Sequence, residues 1–183
     1  MISSLTEQLK KEKQTQLKII KDKLHILRSM ISDADENNER NSKPAVLNYK
    51  IPFNFLMELD AVDVVFYMTR FEEFYKRDFF NLEEEQKEAL LAKATSKEVL
   101  EKETVDYLSW LFSLYASFMT DEQLLNLTKA ILKKAHENFA LYRILSSKLF
   151  ELGKLDILEI VLIDIEEKFG KNASKEIKEN LIK

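Results

Sequence analysis

The most regular pattern of apolar and polar positions lies in the second half of the chain, where residues 105–138 and 139–172 carry one spacing twice at a 34-residue interval. Leu108/Tyr142, Leu111/Leu145, Tyr115/Leu149, Leu124/Leu158 and Ile131/Ile165 occupy matching places. That interval is the length of two antiparallel helices and their turns, so the pattern predicts two helical hairpins. Thr120 with Gln123 has the form of a capping box, which sets a turn between helices at about 105–118 and 121–136. Gly153 and Gly170 suit the left-handed residues that close helices, which predicts further helices at about 139–152 and 155–169. A short polar helix over 174–183, with Ile177 and Leu181 as its apolar contacts, would cover the end.

A second pattern lies at the N-terminus. Leu17, Ile20, Leu24, Leu27 and Ile31 recur at alternating steps of three and four, a coiled-coil-like seam two heptads long. Ser4 and Glu7 would cap this helix, which is expected to run to about residue 31 and to serve self-association, giving a possible homodimer. Residues 32–43 are almost wholly polar, so 32–52 reads as a flexible linker in which Pro44 and Pro52 keep the chain extended. The division is thus 1–31 amphipathic helix, 32–52 linker and 53–183 helical core domain.

Within that core, Val64, Tyr67, Met68, Phe71, Phe74 and Tyr75 share one broad face of a helix predicted over 60–78. Phe79 and Phe80 are adjacent near a turn and cannot both face one core easily, so one is expected to be exposed as an anchor. Asn81 with Glu84, and Thr95 with Glu98, are expected to open the next helices, and Glu83, Glu84 and Glu85 complement a helix start.

Composition agrees with an all-α fold: two glycines, two prolines and 45% hydrophobic residues in 183 suit long helices around a sizeable core. The absence of cysteine excludes disulfides and thiolate chemistry. No secretory signal is apparent in 1–13, and the longest uncharged run, 107–120, is too short to span a bilayer, so a cytoplasmic protein without membrane contact is expected. The net charge of −4 is unevenly placed, because residues 1–31 are basic and the remainder is acidic.

The second hairpin also resembles a known repeat. Tyr142-x-x-Leu145-Ser146-x-x-Leu149 stands where the tetratricopeptide family has Trp-x-x-Leu-Gly-x-x-Tyr, and the turn Leu152-Gly153-Lys154 falls in register. Leu158 and Leu162 stand in the places of that family's Ala and Phe, and Gly170 in that of its Pro. The first hairpin fits at Leu108, Leu111 and Tyr115, but Phe112 and Leu124 are bulky where small residues let helices approach. Arg77 and Asp78 would fall at buried positions, so the repeat does not extend upstream. The reading remains open between such a stack and an ordinary antiparallel helical bundle. The resemblance implies a concave surface lined by the first helix of each hairpin, presenting Asp106, Ser109, Ser113, Arg143, Ser147 and Phe150 to a protein partner.

Catalytic and metal-binding patterns are weak. Asp33, Asp35, Asn37 and Glu39 begin like a calcium loop, but Asn38 replaces the required glycine and Pro44 the bidentate Glu. His25, three residues after Asp22, and His136 are the only imidazoles, and no glycine-rich loop cradles phosphate. The expectation is a non-enzymatic protein–protein interaction module, adaptor or scaffold, without metal or cofactor. The alternatives are a nucleic-acid-associated regulatory factor using the basic N-terminal helix, or a small acidic inhibitor or immunity protein.

Overall fold

The computed structural model describes residues 2–36 and 50–182, with side chains over 4–30 and 50–182. Among these residues the regular structure is helical, with no strand, as an all-α fold requires. Contacts divide the chain into two compact units, Met1–Ala94 and Thr95–Lys183. The sequence division instead grouped 53–183 as one core.

In the first unit, helix α1 runs over Ile2–Glu36. It therefore begins before Ser4, which lies inside the helix and caps nothing, and it takes up the first residues of the expected linker. The rest of that linker up to residue 49, with the calcium-loop-like pattern from Asn37 onward, lies outside the described residues. Leu24 is fully buried and Ile20 nearly so, with Leu17 and Leu27 half-buried, because this seam packs against α3 (Ala61–Arg70), beyond the single turn of α2 (Phe53–Leu56). A seam spent inside its own unit cannot also join two chains, so the self-association assigned to Leu17, Ile20, Leu24 and Leu27 is corrected. The side chain of Ile31 lies outside the described residues.

Helix α3 is buried on nearly all sides: Val64, Val65, Phe66 and Met68 are each 0% exposed. Thr69 meets this burial by donating its hydroxyl to the Val65 carbonyl at 2.7 Å. The single helix predicted over 60–78 breaks at Phe71, whose backbone is extended (φ −102°, ψ 104°), and the chain resumes into a π-helical turn at Phe74–Asp78. The break brings the rings of Phe71 and Phe74 against Tyr67, at 4.9 and 5.0 Å between centroids. An unbroken helix would spread them along one face, whereas here they form one cluster, and such ring pairs add to the burial itself. Phe79 is 0% exposed and Phe80 52%, the division expected of the pair. Helix α4 (Glu84–Ala94) begins later than Asn81 would place it: the Glu83 N–H donates to the Gln86 side chain at 3.1 Å.

The second unit holds α5 (Lys97–Lys102), α6 (Val105–Tyr115), α7 (Asp121–Lys134), α8 (Phe139–Glu151), α9 (Leu155–Phe169) and α10 (Lys171–Leu181). Ser96, not Thr95, stands at the α5 cap, without a side-chain bond. The Thr120–Gln123 box is complete: the Gln123 N–H donates to Thr120 Oγ1 at 3.2 Å and the Thr120 N–H to Gln123 Oε1 at 3.0 Å. Gly153 (φ +67°) ends α8, with its N–H donating to the Phe150 carbonyl and that of Lys154 to Leu149, a Schellman closure. Gly170 (φ +90°) turns α9 into α10.

Helices α6 and α7 pair, as do α8 and α9, while α7 packs on α5 and α9, and α10 on α8 and α9. All ten side chains matched at the 34-residue interval are buried. Phe112 and Leu124, bulky where close packing was expected to need small residues, are also 0% exposed.

His136 closes α7 from the left-handed region (φ +46°) with its side chain in solvent. A branched or imidazole Cβ is strained there and a glycine is not. We expect His136→Gly to stabilise the unit by roughly 1 kcal/mol and His136→Val to destabilise it, less the glycine's unfolded-state entropy. Thermal unfolding followed by circular dichroism measures both.

Candidate functional site

The register places Asp106 and Ser113 on α6, and Arg143, Ser147 and Phe150 on α8, with exposed side chains, and Ser109 half-buried. They do not converge on one cleft. Ser109 donates back to the Val105 carbonyl of its own helix at 2.6 Å, and Ser147 reaches Glu151 at 3.4 Å. Arg143 is held by an ion pair with Glu176 of α10 and lies over the Phe139 ring at 5.2 Å. Phe150, 42% exposed, is the apolar member of this set.

The grooves of the second unit lie elsewhere, on the layer formed by α5, α7 and α9. One runs between α5 and α7, lined by Leu100 and Ala130, by Thr95 and Asn126, by the Lys97–Glu101 ion pair and by Lys129, Lys133 and Lys134. Another runs between α7 and α9, with apolar Leu132, Ile160 and Ile163 and, around them, Lys129, Lys133 and Lys168 facing Asp164 and Glu167. None of the six residues of the first-helix face lines either groove. Lys129 and Lys133, one turn apart on α7, edge both. Both are exposed, and neither has an ion-pair partner among the described residues.

Two further lysines, 34 residues apart, serve the fold. Lys134 Nζ donates to the carbonyls of Glu101 and Glu103 at 3.0 and 2.6 Å, at the end of α5. Lys168 Nζ donates to the Leu132 carbonyl near the end of α7 at 3.1 Å. Each thus supplies a cation where the preceding helix of the layer leaves carbonyls without helical donors. Lys168 also donates to Asp164 and to the Tyr142 hydroxyl, both at 2.8 Å, and that hydroxyl donates in turn to Asp164. Burial, and then the bond to Asp164, raise the Tyr142 pKa above the usual tyrosine value. For Lys168 burial works against the charge, but the bonds to Asp164 and Tyr142 outweigh it and its pKa is raised.

This network was not among the sequence-derived candidates. The signal available was Asp164 and Lys168 four apart on one helix, with Lys168 repeating Lys134.

In the first unit the basic residues of α1 are partly engaged at home: Lys13 pairs with Glu58, Lys21 with Asp60 at 3.7 Å, and Arg28 donates to the Val62 carbonyl at 3.4 Å. Asp22 and His25 are exposed, and no group of three or more His, Asp or Glu among the described residues is arranged to hold a metal. No described helix is long and apolar enough to cross a membrane. Comparison with family models, curated proteins and solved structures returned no significant match to the chain.

Tyr142 and Lys168 both bind their protons more tightly when folded than when unfolded. Their stabilising contribution is therefore full below their unfolded values, near pH 10, and is lost as pH rises through the raised folded values. We expect Tyr142→Phe to cost about 1 kcal/mol at pH 7, the worth of one partly buried hydrogen bond. It should also flatten part of the alkaline fall in the urea midpoint. Parallel urea titrations between pH 7 and 11 measure the difference, and identical alkaline profiles would refute the assignment.

Proposed function

We propose that the chain is a non-enzymatic protein-interaction module. Its second unit is a tetratricopeptide-like stack of helical hairpins that holds an acidic, apolar-patterned segment of another protein along the α7 grooves. The observation that carries this reading is the pair Lys129 and Lys133: two exposed cations without ion-pair partners among the described residues, beside apolar floors on both sides of one helix. An extended or helical segment alternating Asp or Glu with Leu or Ile would match cation and floor together, and charge complementarity would set its register and speed its arrival.

What supports the reading is that α7 packs on both α5 and α9 and has a groove on each side. This moves the recognition surface from the first-helix face of Asp106, Ser109, Ser113, Arg143, Ser147 and Phe150 to the layer of second helices. Arg143, the cation of the former face, is already neutralised by Glu176. The basic-arm reading for nucleic acid draws on cations of which Lys13, Lys21 and Arg28 are engaged inside the first unit.

Selection from a random peptide library on the immobilised chain tests the proposal. Enrichment of peptides with acidic and apolar residues interleaved is expected, with binding weakened about ten-fold or more by the double change Lys129→Glu, Lys133→Glu, and strongly salt-dependent. Phe150→Ala is expected to leave binding unchanged. Enriched peptides that ignore the charge reversal, or that depend on Phe150, would contradict it.

A further inference from the structure

One helical turn beyond the α7–α9 groove, where the same two helices begin, lies a second cavity. Leu125, Leu155 and Ile157 line it together with Glu122, Asp156 and the Asp121–Lys154 ion pair. Spacing joins the two. On α7, Glu122, Leu125, Lys129 and Lys133 follow at steps of three, four and four, and on α9, Asp156, Ile160, Ile163 and Glu167 follow at four, three and four. Each set therefore keeps to one face of its helix. The two faces wall a single groove, and at 1.5 Å per residue each wall is about 17 Å long.

The two ends of this groove carry different charge. Where the helices begin, Glu122 and Asp156 are exposed without ion-pair partners among the described residues, whereas Asp121 is matched by Lys154 at 2.6 Å. A carboxylate in a first turn complements the helix start, but it leaves its negative charge facing the groove. At the other end Lys129 and Lys133 are the unmatched cations of the α7 wall, beside Glu167 on the α9 wall, while Lys168 and Asp164 neutralise each other at 2.8 Å. Glu122 and Lys129 are two turns apart, about 10 Å. A partner helix rises by the same amount per turn, so its side chains meet the wall positions turn for turn. An extended segment advances about 6.7 Å for every two residues and falls out of step. We propose that the α7–α9 groove takes an amphipathic helix of a partner protein charged in both senses, with an acid over Lys129 and Lys133 and a lysine or arginine between Glu122 and Asp156. Its apolar positions lie on Leu125, Ile160 and Ile163. This inference rests on the interaction reading above and adds to it the cationic contact, the helical form and the polarity. Turning the same helix end for end would set its acid against two carboxylates, so the groove accepts one charge order.

The test is selection from a random peptide library run in parallel on the full wild-type chain, on Glu122→Gln with Asp156→Asn, and on Glu122→Lys with Asp156→Lys, with folding checked by circular dichroism. The wild type is expected to enrich peptides in which an acid and a Lys or Arg stand about seven residues apart, with apolar residues at helical spacing between them. The neutral variant should keep the preference for the acid and lose that for the cation, and it carries the test alone if the lysine variant does not fold. The lysine variant should prefer a second acid in the cation's place. For one enriched peptide followed by fluorescence anisotropy, replacing its cation with Glu should weaken binding to the wild type about ten-fold or more, and the lysine variant should restore it. The proposal is overturned, and the interaction reading kept, if the peptides depend on Lys129 and Lys133 but show no cation preference, or retain that preference on the neutral variant. The same holds if the two charges stand about three residues apart, the spacing of an extended segment. An empty selection, or peptides that ignore Lys129 and Lys133, would defeat the interaction reading itself and this inference with it.

Discussion

A two-helix hairpin cannot bury both of its apolar faces by itself, and this shortage organises the second unit. Leu124, Leu127 and Ile131 on α7, like Tyr142, Leu145 and Leu149 on α8, need more cover than one companion helix gives. Further helices supply that cover: α7 lies against both α5 and α9, and α8 against both α9 and α10. Each fully buried leucine contributes on the order of 2 kcal/mol, so the recurring layers outweigh any single surface bond in this unit. Helix α10 is short and mostly polar, but it covers the open side with Ile177, which is 2% exposed. Without such a terminal element the last apolar layer would face water.

Polar groups are fitted around this constraint. Where a helix of the α5–α7–α9 layer ends, its free carbonyls are met by a lysine from the next one, Lys134 for α5 and Lys168 for α7. Tyr142 stands where the first hairpin has Leu108, and its hydroxyl is accommodated only because Asp164 and Lys168 converge on it. Ion pairs between hairpins, Lys154 with Asp121 at 2.6 Å and Arg143 with Glu176, lie at the surface and tie neighbouring layers at nearly the repeat interval. Their exposure makes them guides to register more than sources of stability.

Local chemistry explains which features were legible in the sequence. Thr120 with Gln123 acts through side chains on the backbone three residues away, and Gly153 and Gly170 through their own backbone, so these helix ends could be read directly. The 34-residue spacing was legible because burial repeats with it. Ser4, Asn81 and Thr95 carry the same capping chemistry but lie beside a better start or a competing neighbour, and only the packed chain decides between them. The break at Phe71 was hidden because a run of aromatic residues at helical spacing reads as one face, while ring packing among Tyr67, Phe71 and Phe74 favours a kinked path. The α7 grooves escaped notice because Lys129 and Lys133 look like any solvated lysines until their missing ion partners and their apolar neighbours are seen together.

Native-state hydrogen exchange of the second unit, measured residue by residue for the wild type and for Ile177→Ala, tests most directly whether burial is shared layer by layer. Removing the Ile177 side chain should cost roughly 2–4 kcal/mol locally. Protection is expected to fall most in α10, α9 and α8, less in α7 and least in α6, because each layer is coupled mainly to its neighbours. An equal loss of protection across α5 to α10 would contradict the account, since it would mean that the helices share one undivided core.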